Sequence, residues 1–216
     1  GVIHQPQEVS EKVSLLLEKT RASTRSLITG ITDQRSIHRL LSLPPIDEKL
    51  LDETVQRKAK QEFALPIDDV DISWKIVERT QDNLKAYVLA IPKEITDSQV
   101  ETLAVANLRP KVMDTKPLAL IRAVNRSNTL IVTLEVYSMD VITVVDGLPV
   151  IVRTVPLESG DLTPEAKLDL LSQELARTTK FYNESNKKNR LPEDTPLYTT
   201  GTMFNFLRLA DRLTNS

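Results

Sequence analysis

The sequence predicts a mixed α/β protein whose two sheet regions divide near residue 117. Three observations predict this class. Apolar and polar residues alternate over residues 70–76, which is typical of a half-buried strand. Longer segments carry apolar residues at helical spacing, and Thr163 followed by Pro164 has the side chains that open a helix. In the second half, three short apolar runs follow one another, and the Asp-Gly pair at 146–147 favours a hairpin between the last two.

In the first part of the chain, predicted helices are interspersed with strands. Asp47 has the side chain of a helix N-cap, and Leu51, Val55 and Ala59 share one face of the helix that would follow. The run 84–91 is almost continuously apolar, as in a central strand. These patterns predict helices at 7–20, 47–63 and 97–107, and strands at 26–31, 37–43, 70–76, 84–91 and 111–114.

The second part predicts an antiparallel β-meander combined with helices. Pro117 suits the first turn of a helix, since its missing N–H would be unpaired there in any case. Leu168, Leu171, Leu175 and Tyr182 mark the buried side of the longest helix. The predicted helices are 117–125, 163–182 and 203–213, and the predicted strands are 130–136, 140–145, 150–155 and 197–200.

The composition argues against most catalytic and metal sites. The chain has no cysteine, two histidines and five glycines, and no two of the glycines lie close together. It therefore lacks the glycine-rich loops that bring backbone N–H groups to phosphate, and it has no G-x-S-x-G nucleophile elbow. An α/β hydrolase is disfavoured for that reason. Asp68, Asp69 and Asp71 are better explained as a polar loop with capping acids than as a metal or glycosidase site. We expect no catalytic residue, no metal and no cofactor.

The charge and hydropathy patterns point away from nucleic acid and from membrane insertion. The formal net charge is -2, and the small basic run at 187–190 follows a helix end, where cations complement the helix dipole. No segment approaches the roughly 18 apolar residues that span a bilayer, and the first residues do not resemble a signal peptide. We expect a cytoplasmic protein.

Several passages resemble one known family in the same order. Leu43-Pro44-Pro45 precedes an acidic amphipathic helix, which ends before residues 65–69 (LPIDD). The segment 86–94 (AYVLAIPKE) is similar to a family strand ending in Pro-Lys-Glu, and residues 107–123 follow a further pattern through their NLRP, Asp114, Pro117 and Arg122-Ala123. Together these passages resemble the type IV pilus assembly protein PilM family.

The resemblance implies a truncated actin-like fold. Residues 1–35 would be the remainder of the first subdomain. Residues 36–116 would form the small inserted α+β subdomain that PilM and the division protein FtsA carry, and residues 117–216 an incomplete second lobe. The opening strands that hold the family's first phosphate loop are expected to be missing from this chain.

The family's second phosphate loop is degenerate in this sequence. Its aspartate aligns with Thr133, its glycine with Glu135 and its threonine with Met139. Glu135 places a side chain and a negative charge where a triphosphate needs room and hydrogen-bond donors. A register that uses Asp140 and Thr143 would lie inside a strand. The resemblance therefore carries no ATP site over to this chain.

The resemblance also implies a function and a partner. PilM-like proteins bind the cytoplasmic tail of the inner-membrane protein PilN, so we expect a non-catalytic scaffold at the inner face of the membrane, held there through its partner. Motor proteins and self-association are further expected contacts. Leu41, Leu43, Phe63 and Leu65 flank the corresponding groove and are the predicted partner-binding residues, with plain core packing as their other reading. The alternative function is an actin-like ATPase related to cell-division or filament proteins, with weak or vestigial activity.

Overall fold

The computed structural model describes residues 2–23, 26–31, 35–63, 69–157 and 163–202. The chain divides into two compact units, Gly1–Lys116 and Pro117–Ser216. The described helices are α1 (Pro6–Thr20), α2 (Leu51–Glu62), α3 (Lys93–Val105), α4 (Lys116–Val124) and α5 (Pro164–Ser185). The described strands are β1 (Leu27–Ile31), β2 (Ile37–Leu43), β3 (Val70–Arg79), β4 (Leu84–Pro92), β5 (Pro110–Thr115), β6 (Thr129–Leu134), β7 (Ser138–Val145), β8 (Leu148–Pro156) and β9 (Leu197–Thr200).

A three-stranded antiparallel sheet with one covering helix forms much of the first unit. The strand order is β2-β4-β3, so the apolar run 84–91 is the central strand, as predicted. Side chains of alternate residues on all three strands pack against α2, whose Val55 and Ala59 are fully buried. Asp47 accepts a hydrogen bond from the backbone N–H of Lys49 and so begins the turn that leads into α2. Trp74 donates its indole N–H to Asp52, which ties the sheet to the helix.

A second, two-stranded sheet of the first unit pairs β1 with β5 in parallel. The two strands are some 80 residues apart in sequence, and α1 packs against α3 beside them. Residues 110–115 therefore share a sheet with 27–31, although the predicted boundary at residue 36 separates them.

The predicted start of α3 at residue 97 was wrong. Pro92 occupies the N-cap position, and the helix follows β4 without a loop, burying Ile95 and Thr96.

The second unit is a four-stranded sheet with a helix on each face. The strand order β8-β7-β6-β9 contains the predicted antiparallel meander, and β9 adds to β6 in parallel. One face packs on α5 through Val132, Leu134 and Met139. The other packs on α4 through Ile131 and Ile142. Successive side chains of β6 and β7 therefore point to opposite sides of the sheet, as the geometry of a strand requires.

Local signals in the sequence set the ends of these elements. Asp146 and Gly147 both have positive φ angles, 54° and 74°, as the tight hairpin between β7 and β8 requires. Thr163 caps α5 by accepting a hydrogen bond from the N–H of Ala166 at 3.3 Å. The predicted helix at 203–213 lies outside the described residues.

Candidate functional site

The predicted partner-binding leucines and phenylalanine lie in the core of the first unit. Leu41, Leu43 and Phe63 are buried between the β2-β4-β3 sheet and α2, and they contact the same cluster as Val55. Leu65 lies outside the described residues. As the chain is folded, these three side chains fix the position of β2 and present no free apolar surface. Their contact with a partner stays a prediction.

The open side of β2 is a feature that the sequence analysis did not single out. β2 pairs with β4 on one side, and among the described residues no strand pairs with its other edge. Leu40 points away from α2, because Leu41 and Leu43 point toward it, and 36% of its surface is exposed. Arg39 and Ser42 beside it are exposed as well. An edge of this kind can accept an extended peptide as an additional strand.

A buried polar cluster anchors the beginning of β2. His38 is 7% exposed, and its Nδ1 lies 2.5 Å from the hydroxyl oxygen of Tyr87 on β4. Its Nε2 lies 3.1 Å from the Ser36 hydroxyl. A neutral imidazole has one donor and one acceptor, so it can satisfy both hydroxyl groups. Burial lowers the pKa of His38 to about 4. A lone histidine in an apolar strand gave no sequence signal for this arrangement.

The degenerate phosphate-loop positions are split between two strands and the turn that joins them. Thr133 lies in β6 and Met139 in β7, and both are fully buried. Glu135 begins the short turn 135–137, which is closed by a hydrogen bond from its N–H to the carbonyl of Ser138 at 2.9 Å. Met139 packs against α5. A turn this short encloses little space of its own.

Asp140 is the buried acid of the second unit, and threonine hydroxyl groups hold it in place. It is 1% exposed and lies directly between Thr133 and Thr154 across the sheet. Thr133 donates to one carboxylate oxygen, and Thr154 donates to the other at 2.7 Å. Together with Thr143, Asp140 lies inside β7, as the alternative register implied. Because both of its carboxylate oxygens accept hydrogen bonds from the protein, Asp140 has a structural role in the sheet.

The partly exposed side chain of Glu135 contacts the residues that follow β9. Its Oε2 accepts hydrogen bonds from the Thr202 hydroxyl at 2.8 Å and from the Thr202 backbone N–H at 3.3 Å. Gly201 allows this approach, because its φ is 115° and an added Cβ would lie 2.3 Å from the carbonyl oxygen of Leu134. Glu135, a degenerate phosphate-loop position, is therefore brought together with Gly201 and Thr202, and its carboxylate accepts the hydrogen bonds that Thr202 donates. Within the described residues, no group of three or more acidic or histidine side chains could hold a metal ion.

Known structures resemble the chain over nearly its whole length. A chain of a PilM–PilN type IV pilus biogenesis complex is 21% identical, with a TM-score of 0.79 over 100% of this chain and 74% of that one. The cytoplasmic domain of EpsL, an inner-membrane component of the type II secretion system of Vibrio cholerae, is 14% identical, with a TM-score of 0.58 over 95% and 79%. No curated protein sequence matches the chain.

The class of protein follows from these likenesses: the fold is the actin-like one that the sequence resemblance implied. The sequence profile of the type IV pilus assembly protein PilM matches residues 1–148, more than half of the chain. The chain belongs to the type IV pilus assembly protein PilM family. Of the helices that the structure describes, none has the length and apolar character to cross a bilayer.

Proposed function

We propose that the protein is a non-catalytic scaffold of a type IV pilus assembly complex, which docks the cytoplasmic tail of a PilN-like inner-membrane partner. The observation that carries the proposal is the membership in the PilM family, together with the fold shared with a chain of a PilM–PilN complex. In this role the protein works in the cytoplasm and is held at the inner face of the membrane by its partner. Contacts with motor proteins and self-association belong to the same proposal.

The docking edge in this proposal is β2. An extended tail would add to the unpaired side of the strand, so that main-chain hydrogen bonds supply affinity and alternate side chains supply specificity. Leu40 is the exposed apolar contact on this strand, with Arg39 beside it. Leu41, Leu43 and Phe63 act indirectly here, since their burial against α2 holds the edge in place.

The absence of catalysis in this proposal rests on the second unit. An ATPase of this fold needs a loop whose backbone donors and free space accept phosphate. The corresponding turn at 135–137 is short, and Glu135 places a carboxylate on its donor side. Asp140 is engaged by two threonine hydroxyl groups and lies beneath the surface.

The test is binding of a synthetic peptide with the sequence of the partner's cytoplasmic tail. Leu40→Asp places a charge on the docking edge, and we expect it to weaken binding at least about tenfold, the equivalent of roughly 1.4 kcal/mol. Leu15→Asp is the matched control, because Leu15 is equally apolar and 50% exposed but lies on α1. Equal affinity of both variants and the unmodified protein would reject β2 as the docking edge. No binding by the unmodified protein at high micromolar peptide would reject the scaffold itself.

A further inference from the structure

The side-chain carboxylate of Glu135 connects the β6–β7 turn to the end of β9. The carboxylate of Glu135 is the acceptor, and the backbone N–H and hydroxyl of Thr202 are the donors. A backbone N–H and a hydroxyl group that converge on one oxygen are a donor set that proteins use for phosphate. In this chain a glutamate oxygen occupies that position.

Three further features fix the contact. The N–H of Glu135 bonds to Ser138 and fixes the turn from which the side chain projects. Gly201 has a positive φ and lies against the backbone of Leu134, so the Thr202 donors are brought close to the turn. Lys167 on α5 is buried and donates its ammonium group to the carbonyl of Val136, one residue beyond Glu135. The turn thus contacts a buried ammonium group at Val136 and two converging donors at Glu135.

We propose that Glu135 is an internal anion that occupies a phosphate-type donor site at Thr202 and closes it to external ligands. The proposal does not depend on peptide docking, because all of its residues lie in the second unit and β2 lies in the first. The external ligand that the open site would take is a small inorganic phosphate anion, since the described donors are a backbone N–H and a hydroxyl group.

Inorganic pyrophosphate is the probe, and thermal unfolding of the full chain is the readout. We expect the unmodified protein to show no saturable stabilisation. Glu135→Ala removes the internal anion and leaves the Thr202 donors, so it should gain a saturable, pyrophosphate-dependent rise in Tm. Glu135→Gln retains an acceptor in the same place, so its Tm should rise little with pyrophosphate. Glu193→Ala, which removes an exposed acid from the same unit, is the control for a general loss of negative charge and should gain nothing.

An NMR measurement of hydrogen exchange checks the contact without pyrophosphate. The Thr202 amide N–H should exchange more slowly in the unmodified protein than in Glu135→Ala, because Glu135 accepts its hydrogen bond, while the amides of the β7–β8 ladder should exchange equally in both. The proposal is overturned by equal pyrophosphate binding in the unmodified protein and Glu135→Ala, or by a Glu135→Ala protein that folds but shows no such binding. A Thr202 amide that exchanges at the same rate in both proteins also overturns it.

Discussion

At the scale of single residues, the first unit holds a histidine whose protonation opposes folding. His38 is buried between Ser36 and Tyr87, and burial lowers its pKa from 6.5 to about 4. Between these two values the unfolded chain binds the proton and the folded chain does not. Stability from this group is therefore fully present above about pH 6.5 and is lost as the pH falls toward 4.

The size of the effect can be measured against a variant that does not titrate. Linkage gives a loss of about 2 kcal/mol in the free energy of unfolding between pH 7.5 and pH 5 for these two pKa values. Glu and Asp residues titrate in both proteins, so the comparison with His38→Gln isolates the histidine. Urea unfolding should show a pH-dependent loss that is smaller by about this amount in the variant. The same pH dependence in both proteins would mean that His38 is protonated as easily in the fold as in the unfolded chain.

Some features of single residues at the site could be predicted from the sequence, and others could not. The loss of the phosphate-loop pattern at Thr133 and Glu135 could be read from the sequence, because glycine and aspartate have distinctive roles there. The hydrogen bonds that Thr133 donates to Asp140 and that Thr202 donates to Glu135 could not be predicted from the sequence. They join strands whose register depends on the whole sheet, and a shift of one residue would turn every side chain to the other face.

At the scale of elements, local signals predicted best where they did not depend on distant partners. The hairpin at 146–147, the central strand 84–91 and the cap at Thr163 each follow from neighbouring residues. The parallel pairing of β1 with β5 has no local signal, because all three strands of the other sheet lie between β1 and β5 in the sequence. The early start of α3 was missed since Pro92 ends a strand and caps a helix at the same time.

The cap of α5 provides a test at this scale. Thr163 accepts from the N–H of Ala166, and Thr163→Ala leaves that donor without its side-chain acceptor. We expect a loss of about 1 kcal/mol in the free energy of unfolding. Thr163→Ser keeps the hydroxyl group and should stay within about 0.5 kcal/mol of the unmodified protein, by chemical denaturation. Equal losses in both variants would indicate that the threonine methyl group, and not the cap, matters at this position.

At the scale of the whole molecule, the two units have different parts in the proposed function. The first has a strand edge that can take a peptide and a core that holds this edge in place. The second has the turn at the degenerate phosphate-loop position, where Glu135 accepts hydrogen bonds from Thr202. On this account the protein binds its partner without a nucleotide cycle, so the affinity for the tail does not depend on ATP.

The most direct measurement is a calorimetric titration of the full chain with the partner's tail peptide, once without nucleotide and once with millimolar Mg-ATP. We expect saturable binding of one peptide per chain, with the same dissociation constant in both titrations. A peptide that binds only with Mg-ATP, or a dissociation constant that changes more than about tenfold, a coupling of roughly 1.4 kcal/mol, would contradict the account.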